Sequence, residues 1–339
     1  MARAIERTDW FRRPPSRIGF EPGFKEWMHF CIYAGGLDLL VNFSEVDHPS
    51  GSDTDVRQTL MVQMNDRWHG AIDTFPAGAI GVRGGTIEAD FGPSGLRFEN
   101  GRYRLWAQTH STPEIRLDVS LSPMALPVPV YNVVVGDSPP IHWVVVPRLH
   151  ATGEVSVGER RLRLDRTPAY HDHNWGHFRW GRDFAWEWGF AIPAEPHNPW
   201  SFVFARLNDR SLTRILMQTA FLWHGARPAE AFRDTEITIR HEGLLRPSYV
   251  HKLPPVMALL SQGSATDIPA RVIIEAHHAT ASVYVTFESR AVAQVIIPND
   301  DDLGVTIINE VSGSCHVQGK TADGPIELTC NTVFEFLGA

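Results

Sequence analysis

Apolar and polar residues alternate with a period of two along most of the chain, which is the signature of strands with one face buried. Residues 26–46, "EWMHFCIYAGGLDLLVNFSEV", read as two strands around an Ala-Gly-Gly-Leu-Asp turn. Similar strand patterns recur at 102–110, 114–123, 141–150, 153–165, 201–209, 212–223, 235–243, 270–279, 281–290, 304–313 and 327–336. Gly, Pro, Asn or Asp punctuate them at short intervals. Helix patterns are few and short, the best being "RPAEAFRD" (227–234) and "PPVMALLSQ" (254–262). Many short antiparallel strands with tight turns predict an all-β protein, a sandwich or barrels. With 339 residues the chain is too long for one small barrel, so two β domains are expected. The predicted boundary lies in "GERRLRLDRTPAY", dividing the chain into 1–165 and 166–339. A His-bearing strand before an alternating strand recurs at 106–123 and 275–291, as two similar barrels would give.

Composition narrows the class. Hydrophobic residues make up 43% and charged residues 21%, enough apolar material for a sizeable core. The net charge of −8 argues against a nucleic-acid partner, which would ask for a basic surface. Cys31, Cys315 and Cys330 are odd in number and far apart, so neither a disulfide framework nor a zinc ribbon is implied. The N-terminal stretch has charges but no apolar h-region, and no apolar run reaches the ~18 residues of a membrane span. A cytoplasmic location is expected. The dinucleotide-binding, P-loop, zinc-protease and serine-hydrolase motifs are all missing, and no cofactor or metal is expected.

One stretch stands out: "AYHDHNWGHFRWGRDFAWEWGF", residues 169–190. His171 to His177 hold three of the sixteen histidines, and residues 175–200 hold five of the eleven tryptophans. Treated as a strand, Tyr170, Asp172 and Asn174 point one way and His171, His173 and Trp175 the other. After a Gly181-Arg182-Asp183 turn, Phe184, Trp186, Trp188 and Phe190 share a face opposite Ala185, Glu187 and Gly189. Such a hairpin would set two histidines and a tryptophan beside four aromatics. Aromatic faces stabilise a passing cation by ~2 kcal/mol or more each when desolvated, and a protonated His or a carboxyl could start such chemistry on an alkene or carbonyl.

Three plainer readings compete. The tryptophans can be core. The His-Asp-His-Asn run can be a satisfied buried network fixing two strands or two domains. His171 and His173 have the spacing of a metal pair on a strand, with a third ligand near Asp172, at His29 or at His277/His278. Glu187 is either an acid in the cavity, if the aromatic stripe is the packed face, or else a residue that faces solvent or pairs with an Arg.

At "PRLHATGEVSVGERRLRLDRTPAYHDHNWGHFRWGRDFAWEWG" the chain resembles the carotenoid 1,2-hydratase-like (hydroxyneurosporene synthase-like) family, and its "NTVFEFLG" ending agrees. The Asn-Trp-Gly step is similar to that of tocopherol cyclases and of the lipocalin-like group that includes natural-product cyclases and pericyclases. The resemblance implies two lipocalin-like barrels, a hydrophobic unsaturated small-molecule substrate such as an isoprenoid or polyene, and no organic cofactor. It implies acid-started hydration or cyclisation at a His-x-Trp element, here His173 and Trp175 with Asp172 beside them. One departure is that a Tyr-x-Asp pair expected on the strand after the aromatic run is replaced by Phe202, Phe204 and Arg206, with Asp209 only at the following turn. The leading expectation is a cofactor-independent enzyme that protonates its substrate through His173 or Asp172, with Tyr170, His171, Trp175, Trp186, Glu187 and Trp188 around the substrate. The rivals are a pericyclase, which folds a polyene without proton transfer, and a non-catalytic lipid or isoprenoid carrier.

Overall fold

The computed structural model describes residues 1–12, 23–47, 54–76, 81–135, 138–195, 197–253 and 267–338. The chain forms two curled, almost wholly antiparallel sheets in two compact units, an all-β, lipocalin-like architecture. The first unit holds Met1–Val62 and His69–Arg179; the second holds Gln63–Trp68 and Trp180–Ala339.

In the first unit the strands run, in hydrogen-bonded order, Arg67–Pro76, Thr54–Met64, Leu37–Asp47, Phe24–Ala34, Arg160–His177, Ser138–Val157, Ile115–Pro123, Arg102–Thr109, Ser94–Glu99, Glu88–Phe91 and Gly81–Val82. Val128–Val135 branches off by pairing with Ser138–Val157. The expected turn at 34–38 is present: Phe24–Ala34 pairs with Leu37–Asp47 across Gly35 and Gly36, both with positive φ. Met28 and Phe30 are buried on one face of that hairpin's first strand, Cys31 on the other, so both faces are covered. A short helix, Ala2–Thr8, buries Ile5. The residue after its end region, Phe11, exchanges backbone hydrogen bonds with Thr86 and Gly85 and is buried. Charge density hid this helix in the sequence.

The second sheet runs Arg227–Arg233, Ile215–His224, Trp200–Asn208, Ala185–Ala191, Gly324–Gly338, Val305–Thr321, Ser282–Pro298, Pro269–His277 and Ile237–Leu244, with Val250–Leu253 parallel to Ser282–Pro298. Its core includes Phe202, Phe204, Phe287, Phe334, Val285 and Val317. Gly189 is needed there. A Cβ on it would lie 2.9 Å from Phe204, 3.2 Å from Phe334 and 3.3 Å from Phe287. The two stretches compared as a repeat, 106–123 and 275–291, both fall in antiparallel hairpins.

Three expectations need correcting. Residues 227–233 form an edge strand, because Arg227–Arg233 completes the ladder beside Ile215–His224; 254–262 lies outside the described residues. The division of the chain falls at Arg179/Trp180 and not at 165/166. Arg160–His177 runs unbroken through the proposed boundary, pairing with Ser138–Val157 on one side and Phe24–Ala34 on the other. The punctuating residue there, Arg166 with φ 50°, sits next to a register shift in the ladder and does not end the strand. For the same reason the His-Trp stretch is no hairpin: Arg160–His177 and Ala185–Ala191 belong to different sheets.

Candidate functional site

The alternation expected for residues 170–175 holds. His171, His173 and Trp175 share the face that Phe30, Met28 and Glu26 present from the neighbouring strand. Their chemistry depends on two carboxylates far away in sequence. Asp9, just past the helix end, accepts a hydrogen bond from His171 Nε2 at 2.9 Å on Oδ2 and one from His173 Nδ1 at 3.0 Å on Oδ1. The Tyr103 hydroxyl also donates to Asp9 Oδ2. His173 Nε2 donates to Glu26 Oε1 at 2.9 Å, and the Arg12 backbone N–H reaches the same oxygen at 2.7 Å. His171 Nδ1 donates to the His29 carbonyl at 2.9 Å. Asp9, Glu26, His171 and His173 are all fully buried.

The electrostatics follow from this arrangement. Burial alone would push the Asp9 carboxyl up, but His171 and then His173 outweigh it and hold Asp9 well below the ordinary carboxylate range. Burial alone would push His173 down, yet its bonds to Asp9 and Glu26 win, and its pKa is raised. The two carboxylate partners thus favour the imidazolium form of His173. Tyr103 is pushed up by burial and by Asp9, so it stays a donor. Of this group, Glu26 Oε2 has no hydrogen-bond partner among the described residues.

Trp175 covers the relay. Its ring lies 4.9 Å from His173, stacks on His142 at 5.2 Å, and meets Tyr131 edge-on at 5.9 Å. Phe24 and Val144 complete a small cluster with it. Phe11 packs edge-on against the His173 ring at 6.0 Å, and Phe30 stacks on His171 at 4.0 Å.

Tyr170 and Asp172 face the other way. Asp172 Oδ2 accepts from Trp143 Nε1 at 3.1 Å and from the Tyr170 hydroxyl at 3.0 Å, and Oδ1 accepts from Asn174 at 3.2 Å. His29 also belongs to that opposite face, next to Cys31 at 3.2 Å, and burial with the nearby His171 lowers its pKa to about 3. The His-x-His pair and His29 therefore do not converge on one point. Both ring nitrogens of His171 and of His173 have oxygen partners. His277 and His278 lie in the second unit, where His278 Nε2 faces Glu230 at 3.2 Å.

Trp186, Glu187 and Trp188 also lie in the second unit. Trp186 contacts Trp180 and Phe184 and bonds Glu335 through its indole N–H, and Trp188 packs on Phe190 at 5.2 Å. Glu187 is buried and ion-paired. It pairs with Arg206, directly across from it on the next strand, and with His241 Nε2 at 2.9 Å. Arg206, at the position where the resemblance leads one to expect an acid, thus brings the partner of a carboxylate from the adjacent strand.

Sequence reading missed Asp9, Arg12 and Glu26. Glu26 did carry a signal: it breaks an apolar face formed by Phe24, Met28 and Phe30. Asp9 carried none, since its partners lie 162 and 164 residues away.

No family model matches the chain, and no curated protein matches it. Solved structures do. A Nitrosomonas europaea protein assigned as AttH superposes with a TM-score of 0.64 at 13% identity, over 96% of this chain and 98% of its own. Kievitone hydratase from Nectria haematococca gives 0.60 at 13%, over 98% and 96%. CghA, solved with Sch210972, gives 0.56 at 11%, over 93% and 88%. Likenesses at this level of identity establish a shared fold across nearly the whole chain.

Proposed function

We propose that this protein is a cofactor-independent enzyme that acts on a hydrophobic, unsaturated small molecule by acid-initiated hydration, cyclisation or isomerisation. The observation that carries the reading is the Asp9–His173–Glu26 relay beneath Trp175. His173, whose protonated form its two carboxylate partners favour, is the proton store. Glu26 takes the proton on Oε1 and gives one from Oε2 to a substrate carbon lying over Trp175, so the carboxylate is restored as the charge moves to the substrate. The Trp175 ring stabilises that cation through its quadrupole. Asp9 and His171 hold the imidazolium in place. Asp172, already accepting three hydrogen bonds, fixes Tyr170, Trp143 and Asn174 and is a positioning residue. The fold is shared with a protein named as a hydratase and with one solved with Sch210972, which supports a small-molecule substrate.

A second reading, a pericyclase, draws on a different observation. His171 and His173 are wholly buried with every ring nitrogen occupied, as in a scaffold that shapes a pocket without transferring protons. One experiment separates the two. A panel of prenylated phenols and polyenes is turned over in deuterium oxide, and products are read by mass spectrometry. Acid initiation places a deuterium on carbon, and His173→Gln and Glu26→Gln each abolish it. Turnover without deuterium uptake refutes the acid reading and supports the pericyclic one.

A further inference from the structure

We infer that the substrate carries an anionic oxygen and that Arg12 binds it. The inference rests on the reading above that a small molecule lies over Trp175. The Arg12 guanidinium is sandwiched between two indoles, 3.5 Å from the centroid of Trp10 and 4.3 Å from that of Trp175. Nη2 donates to the Thr8 carbonyl at 2.6 Å and Nη1 donates to the Trp10 carbonyl. The Tyr131 hydroxyl is within hydrogen-bond reach. Arginine has five N–H donors, so these partners leave at least two of them open.

Arg12 makes no ion pair among the described residues. The nearest carboxylates, Asp9 and Glu26, already take the protons of His171 and His173. A half-buried cation without a bonded anion is expensive unless something supplies one, and burial does lower the Arg12 pKa. A planar guanidinium fork suits a carboxylate, an enolate or a phenolate. Beside it stand Tyr131, 46% exposed, and His142, whose Nδ1 accepts from the Asn132 N–H at 3.2 Å. The two indoles hold the guanidinium plane while the same Trp175 ring faces the relay. One molecule can therefore set its oxygen on Arg12 and its double bond over Trp175. That arrangement distinguishes an acidic, oxygen-bearing polyene from a pure hydrocarbon.

The test compares two probes of one skeleton, retinoic acid and retinol, by quenching of tryptophan fluorescence. The wild-type protein is expected to bind the acid about tenfold or more tightly, the worth of one charge-assisted contact, and to lose that preference as salt is raised. Arg12→Gln is expected to bring the two affinities together by weakening the acid alone. Unchanged retinol binding shows that the apolar site has survived the substitution. Equal affinities for the two probes in the wild-type protein overturn the role of Arg12 and leave the apolar site standing. Failure of the wild-type protein to bind either probe overturns the apolar site itself. If Arg12→Gln does not fold, Arg12→Lys keeps the charge and loses the fork. A retained, salt-sensitive preference for the acid then supports the inference, and a preference that ignores salt overturns it.

Discussion

Asp9→Asn tests whether the buried relay is held by charge. The carboxylate accepts three hydrogen bonds, at 2.9 Å from His171, at 3.0 Å from His173, and from Tyr103. An amide of the same shape has one oxygen. Placed at the Oδ2 position, that oxygen keeps His171 and Tyr103, but the NH2 group then faces His173 Nδ1. Two donors cannot bond, so His173 must release a proton and loses its charge. One charge-assisted bond, about 1.5–3 kcal/mol, disappears, and His171 loses its buried anion as well. The expected total is about 3–5 kcal/mol, the range for breaking a buried pair by removing one partner. The sign with pH follows from His173. Its folded pKa is raised, so its stabilisation is complete below its unfolded value near 6.5 and is lost as pH rises through the folded value. The gap between wild type and Asp9→Asn should therefore be widest in mild acid and narrow toward alkaline pH. Two units make a single unfolding transition unsafe to assume. Hydrogen exchange of peptides from 160–177, read by mass spectrometry over a pH series, reports the first unit alone. A cost below ~1 kcal/mol in mild acid, or one indifferent to pH, would refute the charged relay.

Two further outcomes follow from the same geometry. Asp172→Asn should cost about 1–3 kcal/mol in denaturant unfolding, because its new NH2 opposes Asn174 or the Trp143 and Tyr170 donors. Deuterium uptake should stay within about tenfold of wild type, since a positioning residue does not itself pass the proton; complete loss with the fold intact would make Asp172 the donor after all. Gly189→Ala should destabilise the second unit by about 1–3 kcal/mol through crowding of Phe204, Phe334 and Phe287, and unchanged thermal stability would show that those rings have room to move.

Local pattern and long-range pairing were not equally legible in the chain. A period of two put His171, His173 and Trp175 on one face and Tyr170, Asp172 and Asn174 on the other, because a paired strand leaves side chains no other choice. Gly35 and Gly36 marked their turn by needing positive φ. Alternation cannot tell which strands share a sheet, and so Trp186 and Trp188 seemed neighbours of His173. It also cannot reveal a partner delivered by a helix end from the far side of the sequence, as Asp9 is. The boundary expected within Arg160–His177 falls inside one strand, whose arginine-rich first half is in register with Ser138–Val157 and which gains Phe24–Ala34 as its second neighbour from Ala169 onward.

The discontinuous makeup of the second unit bears on the order of synthesis. Gln63–Trp68 forms the tip of the hairpin between Thr54–Met64 and Arg67–Pro76, yet it belongs to the second unit. The Trp68 indole N–H donates to the Ala291 carbonyl at 3.3 Å, and Arg290 reaches Gln63 at 3.4 Å. On the ribosome the first unit has all its strands once Arg179 has emerged, and N-terminal parts fold as they appear. The hexapeptide must then wait, tryptophan exposed, through more than a hundred further codons before its partners exist. The hairpin tip is therefore completed only after the second unit has been made, and cutting the gene in two after Arg179 would leave each half incomplete.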